Sequence, residues 1–472
     1  MKKLLFIFIT LFFYFNIIQN MTTSNIDIHN TFNLYDMQQK YPHTIDNDSL
    51  REKNALSDLS KCFVYCMSVP PVYIIKDYDN INDKMTVKYT NESIAKQMLS
   101  KVIIHPKTFQ REHEYTAWNL FKHHVAELSV IGIKFYSSNP RVFSFFRGYD
   151  YVVSDSVNMN IIQPFLNHIH DVIANYNDDV YNYILKWIAS IFQKPSFKTG
   201  TALVIIGAHG SGKNTFFTDI ICKLMGRYAN NNITTIESIV GKFNALLENK
   251  KLLILNELQS IDKCKYLNSD ALKSIITDTT ININQKNEPM RLCDNVANFI
   301  MVSNNNIPIK IENGDRRYVV MKTSDKHVKD WNYFDTLYKS FTDEFYQHLF
   351  TFFMTMDING YNLRMIPETE AKNDIQEASM SSYELFIREH YEEINGKTGP
   401  ELFEMYCKYA EKNKYQQCSN RTFITNIKQF TGDQKAKWVN GKTQRVYTLL
   451  PEVYAKYKKY YESIEVVDND YI

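Results

Sequence analysis

Neither sign of charge dominates this chain of 472 residues: 54 Lys and Arg stand against 52 Asp and Glu, a net of +2 with no global nucleic-acid signature. Any nucleic-acid contact must therefore be local. Cysteine is sparse and scattered. The seven, at positions 62, 66, 222, 264, 293, 407 and 418, form no paired Cys-x-x-Cys blocks, which fits free thiols in a reducing compartment. Cys62 and Cys66 are the one close pair, and the nearby sequence does not offer the two further ligands that a zinc site needs. No internal repeat or low-complexity linker is evident, and from Met21 to about Thr199 no catalytic signature is found. Asp77-x-Asp79 reads as the acidic turn of a hairpin, between strands at Val72 to Ile75 and Met85 to Lys88, and not as the metal-binding carboxylates of a primase.

What is present is the composition of a soluble globular protein, 44% hydrophobic and 22% charged, long enough for two or three domains. The N-terminus departs from this. Lys2 and Lys3 precede a fifteen-residue apolar run from Leu4 to Ile18, too short for the roughly 20 residues of a membrane span and followed by no small-x-small cleavage site. Residues 1–20 therefore read as a hydrophobic leader or as a start assigned too early, with Met21 the initiator, and the expected location is soluble and intracellular, in the cytoplasm or at a viral replication site.

The apolar run Leu203-Val204-Ile205-Ile206 leads into Gly207-Ala208-His209-Gly210-Ser211-Gly212-Lys213-Asn214-Thr215. Glycines there let the backbone curl so that its N–H groups and the next helix N-terminus face anionic oxygens, and a lysine in this place reaches β- and γ-phosphates. This spacing predicts an ATP site made by Gly207, Gly210, Ser211, Gly212, Lys213, Asn214 and Thr215. A Ser or Thr hydroxyl normally follows the lysine and binds Mg²⁺. Asn214 holds that place and offers an amide oxygen instead, while Thr215 is turned about 100° away and does not simply inherit the role. Both are kept as metal candidates, and an altered Mg²⁺ dependence is expected.

Two further apolar strands end in polar residues. Leu252 to Leu255 runs into Asn256-Glu257, where Glu257 is the candidate general base and Asn256 stands where a metal-organising Asp is usual; both count as metal candidates. Phe299 to Val302 runs into Ser303-Asn304, and an amide at Asn304 suits sensing of a γ-phosphate and orientation of water. Asp315-Arg316-Arg317 precedes a strand from Tyr318 to Met321, and Arg316 and Arg317 are candidates for stabilising transition-state charge on a neighbouring subunit's nucleotide.

Helices are expected at Glu114 to Leu128, Pro164 to Tyr176, Asp179 to Phe192, Phe334 to Met354 and Glu368 to Ser381. From Tyr383 to Leu450, helices at Glu401 to Lys412 and Arg421 to Phe430 precede strands at Lys435 to Val439 and Thr443 to Leu449, which flank the hairpin signal Asn440-Gly441. Two helices and a hairpin suggest a winged helix. Residues 397–448 carry ten Lys and Arg against four Asp and Glu, an excess that a duplex backbone would attract. Arg421, Lys428, Lys442 and Arg445 are its candidate DNA contacts.

In order and tight spacing, Gly207 to Thr215, Asn256-Glu257, Ser303-Asn304 and Arg316-Arg317 resemble superfamily 3 helicases, most of all the helicase part of viral and phage primase-helicases. The resemblance covers about Pro164 to Ser324 and extends more loosely on either side. It implies an α/β P-loop AAA+ core, a ring-shaped homo-oligomer, usually a hexamer, around one DNA strand, and 3′ to 5′ travel. It also implies a helix and β-hairpin with a pore-facing lysine, matched by Leu272-Lys273-Ser274-Ile275-Ile276 and Ile281 to Lys286. Lys286 is the candidate strand-tracking residue, with Lys273 beside it. The expected organisation is leader 1–20, mixed α/β and helical collar 21–195, ATPase core 196–324, helical connector 325–382, winged-helix-like domain 383–450 and tail 451–472. The expected function is an ATP-dependent DNA helicase in replication of a viral or mobile-element genome, with a separate primase or polymerase as a candidate partner. Two rivals are an ATP-gated DNA-binding switch or loader that does not unwind, and a membrane-associated packaging ATPase.

Overall fold

The computed structural model describes residues 31–41, 48–68, 70–79, 84–106, 112–256, 267–286, 288, 290–439 and 442–469. The apolar run before the glycine-rich loop is the strand Ala202–Ile206, buried along its whole length. It lies fourth in a five-stranded parallel sheet ordered Ala229–Ile233, Leu252–Asn256, Asn298–Ser303, Ala202–Ile206, Tyr318–Lys322. Four of these strands are nearly unbroken apolar runs, the pattern of parallel strands covered on both faces. The edge strand Ala229–Ile233 is instead Ala-Asn-Asn-Asn-Ile, a composition without the apolar signal of its neighbours.

Helices Met159–His168, Asp178–Gln193 and Asp343–Thr355 bury Phe165, Tyr183, Trp187, Phe192 and Phe353 in the same core as Leu203, Ile205, Ile254 and Ile300. The first helix begins five residues before Pro164, capped by the Asn158 side chain, and continues after His168 as a wide π-type turn, Ile169–Ile173. The predicted helix from Phe334 is two: Trp331–Lys339 and Asp343–Thr355, the second restarted by the Thr342 side-chain cap.

Upstream, a smaller sheet runs Lys84–Thr90, Val72–Asp79, Phe63–Cys66, Ser129–Val130. Alternate residues along it face opposite ways: Phe63, Tyr73 and Ile75 join a cluster with Leu59, Leu99, Trp118 and Phe121, while Val64, Cys66 and Ile74 join the main core. Asp77 is inside the strand, not in its turn, and meets Lys88 at 2.8 Å across the hairpin. The helix predicted at Glu114 to Leu128 is only Ala117–His123, because Thr116 and Asn119 form a capping box that starts it late.

The chain divides into two compact units, Met1–Ile309 with Arg316–Lys372, and Lys310–Asp315 with Asn373–Ile472. The second contains helices Ser382–Glu389, Gly399–Lys412 and Asn420–Thr431, an antiparallel hairpin of Lys435–Val439 with Lys442–Val446, and a final helix Pro451–Asn469. Phe386, Leu402, Tyr406, Phe423, Ile427, Tyr447 and Leu449 form its core. Ser381 with Glu384, and Thr398 with Glu401, form capping boxes at two of its helices. Among the described residues no helix is long and apolar enough to cross a membrane. The leader, residues 1–20, lies outside them.

Candidate nucleotide-binding site

The register of the central sheet brings four strand ends together. Ser303 and Lys322 both stand opposite Ile206, and Val302 stands opposite Asn256. Gly207 begins the loop with its N–H donating to Ser303 O at 3.3 Å. A Cβ on Gly207 would meet Thr323 Oγ1 at 1.9 Å, so no side chain fits. Gly212 is excluded from other identities twice over, by a φ of +82° and by Phe334 and His168 within 3 Å of where its Cβ would stand.

Lys213 is almost fully buried, and its ammonium donates to Gly207 O at 2.9 Å, Ala208 O at 2.8 Å and Asn304 Oδ1 at 2.6 Å. Burial pulls its pKa below the ordinary lysine value. His209, Gly210, Ser211, Gly212, Lys213, Asn214, Val302, Ser303 and Asn304 line a cavity of about 180 Å³. The loop and Asn304, distant in sequence, therefore share one site. Buried Ser303 Oγ accepts from Asn305 N at 3.0 Å and fixes the bend after its strand.

Asn256 also reaches the C-terminal edge of the sheet. Its Nδ2 donates to Asn231 O at 2.8 Å, which leaves Oδ1 buried and without a hydrogen-bond partner among the described residues. Asn214 is exposed at the start of the π-helical stretch Thr215–Ile221. Glu257 and the side chain of Thr215 lie outside the described residues. Arg316 and Arg317 precede Tyr318, which pairs with Ala202 at the sheet's opposite end. About 15 Å of parallel strand separates them from the loop of their own chain.

A layer behind the loop had no sequence signal. His168, completely buried, meets Tyr333 Oη at 2.9 Å through Nδ1, and His327 stacks on Tyr333 with ring centroids 3.7 Å apart. His327 pairs with Asp330 at 2.9 Å, and Lys329 N reaches Gly210 O at 3.4 Å. Burial lowers the His168 pKa to about 4, against a smaller opposing pull from the Gly212 backbone. Its partner Tyr333 is 165 residues away in the chain, beyond the reach of any local pattern.

Downstream, helix Leu267–Thr277 leads to the antiparallel strands Thr280–Ile283 and Arg291–Asp294. Lys286 is exposed in the turn between them, whereas Lys273 is largely covered and pairs with Asp270 at 3.1 Å. The hairpin base is clamped. Arg291 binds Glu248 through two bonds of 2.8 and 2.5 Å, binds Glu288 at 2.8 Å and lies 4.5 Å from the Tyr89 ring centroid. Burial alone would lower the Arg291 pKa, but Glu248 outweighs it and raises the pKa above the ordinary value. Of the C-terminal candidates, Arg421, Lys428 and Arg445 are exposed, Lys428 pairs with Asp433 at 2.9 Å, and the Lys442 side chain lies outside the described residues.

A glycine-rich loop at the C-terminal end of a buried strand in a five-stranded parallel sheet gives the chain a P-loop-like α/β core. A profile described as a family of unknown function (DUF5906) matches residues 205–317. The DNA primase-polymerase of Nitratiruptor phage NrS-1 is 34% identical over 151 residues, which are 32% of this chain and only 21% of the phage protein. Two solved structures of the NrS-1 C-terminal region share the fold. One gives a TM-score of 0.55 at 20% identity, covering 83% of this chain and 98% of that one, and the other 0.53 at 20%, covering 80% and 96%.

Proposed function

We propose that the chain is an ATP-dependent DNA helicase motor of the superfamily 3 type, with an AAA+ core, in the replication of a viral or mobile-element genome. The observation that carries this reading is the 2.6 Å contact between Lys213 Nζ and Asn304 Oδ1, which joins the phosphate loop to the neighbouring strand's polar end. Likeness to a phage DNA primase-polymerase supports the replicative setting.

In this reading the loop N–H groups and Lys213 bind the phosphates, and Asn304 orients the attacking water with Glu257 as base. The buried Asn256 Oδ1, without a partner among the described residues, suits a hard cation such as Mg²⁺, with Asn214 and Thr215 as further candidates. When bound, that ion would neutralise phosphate charge. Arg316 or Arg317 acts on the nucleotide of an adjacent subunit in a ring, not on that of its own chain. Lys286 tracks one strand, and the C-terminal helices and hairpin act as a winged-helix-like DNA contact through Arg421, Lys428, Lys442 and Arg445. A partner primase or polymerase would supply priming.

ATP hydrolysis by the purified chain, measured with and without single-stranded DNA, tests the motor. The expected result is DNA-stimulated turnover that Lys213→Ala abolishes; turnover indifferent to both would sink the reading. One observation favours a second reading, an ATP-gated DNA-binding switch: neutral amides occupy both places where a hydroxyl and a carboxylate usually organise the metal. ATP binding without turnover would select it.

A further inference from the structure

Within the C-terminal unit, the hairpin has one face that folding does not use. Its register pairs Ala436 with Arg445 and Trp438 with Thr443, so these four side chains share a face, and all four are exposed. The opposite face includes Val446, which is buried. Val446 also bridges to Thr398, and Tyr447 N donates to Lys397 O at 2.8 Å, which ties the second strand inward and leaves Lys435–Val439 at the edge. Lysines suit an exposed edge because they discourage unwanted strand pairing, and Lys435 and Lys437 are there. An indole does not suit it. Trp438 is 70% exposed, diagonal to the Arg445 guanidinium, on a segment whose net charge is strongly positive.

We propose that Trp438 is a stacking platform for a base of an unpaired nucleic-acid strand, with Arg445 on the same face taking a flanking phosphate. Charge complementarity selects a polyanion over an apolar partner surface. The flat ring selects an unpaired strand over a duplex, because base faces inside a duplex are already stacked and only a splayed base presents one to an aromatic side chain. The C-terminal unit then reads strand ends or fork junctions, not merely duplex backbone. This inference rests on the nucleic-acid reading proposed above and deepens it.

The test measures binding of the full chain, without nucleotide, to dye-labelled oligo-dT and to a blunt duplex of equal length. Trp438→Ala, Trp438→Phe and Arg445→Ala are compared, each in the parent and in a Lys286→Ala background so that a second contact does not hide the loss. Melting temperature reports the fold. Removal of a stacking side chain should weaken oligo-dT binding roughly 5- to 150-fold. Trp438→Phe should retain most of the affinity, and duplex binding should hold. Unchanged oligo-dT affinity in Trp438→Ala overturns the inference while leaving the motor intact, and so does an equal loss on duplex. Loss of self-association in that variant, read by sedimentation, assigns the face to a second copy and overturns it too. No DNA binding by the parent overturns this inference and the nucleic-acid reading together.

Discussion

Two side chains near the candidate site, Asn256 at the end of a central strand and His168 at the end of a helix behind the loop, each make a separate prediction. Asn256 offers a neutral oxygen where a carboxylate would bind a divalent cation more strongly, and that oxygen is buried without a partner among the described residues. Asn256→Asp is therefore expected to lower the Mg²⁺ concentration that half-saturates ATP turnover by about tenfold, as a charged ligand replaces a dipole. A Mg²⁺ titration checks this, and an unchanged midpoint would remove Asn256 from the metal's surroundings. His168 governs acid stability. Its folded pKa of about 4 lies below the ordinary 6.5, so the unfolded chain binds a proton between those values that the folded chain refuses. Stability is then lost as pH falls from 6.5 towards 4, by about 3 kcal/mol in all, an order-of-magnitude figure. Denaturant midpoints across that window should fall in the parent and fall less in His168→Phe, whose side chain cannot charge.

At the scale of elements, the hairpin that carries Lys286 is held by the Arg291–Glu248 pair, in which both side chains are mostly covered. Glu248→Gln should cost roughly 3 kcal/mol, because it leaves a guanidinium short of compensating charge in a partly dry place. Faster proteolytic cleavage near residue 286 and weaker DNA stimulation of ATP turnover would report the loosened hairpin. Normal stimulation would show that hairpin position does not matter. The same scale shows what was legible in the sequence. Buried parallel strands announce themselves as apolar runs, and the loop, Asn256 and Ser303-Asn304 could be placed at strand ends because a parallel sheet aligns those ends. The edge strand Ala229–Ile233 was invisible because an Asn-rich segment has neither apolar run nor alternation. The helix at Ala117–His123 was overextended because its boundary is set by the Thr116 and Asn119 side chains, not by periodicity. The His168, Tyr333 and His327 layer behind the loop depends on contacts across the chain, which no local pattern carries.

At the scale of the whole molecule, the proposed trans arginines are open to a mixing experiment. Subunits with Arg316→Ala and Arg317→Ala keep a complete loop, while Lys213→Ala subunits keep the arginines, so each should be inactive alone and a mixture should regain part of the parent's ATP turnover. A mixture no more active than its components would confine the arginines to another task. Behind that experiment lies the direction of the central sheet. Its strands all run the same way, with Lys213 beyond one end and Arg316 before the other. A subunit that offers its head to one neighbour and its tail to another makes contacts that either close on themselves or continue as a filament. Turnover should therefore climb more steeply than in proportion to protein concentration, and dilution alone should switch it off before any subunit unfolds.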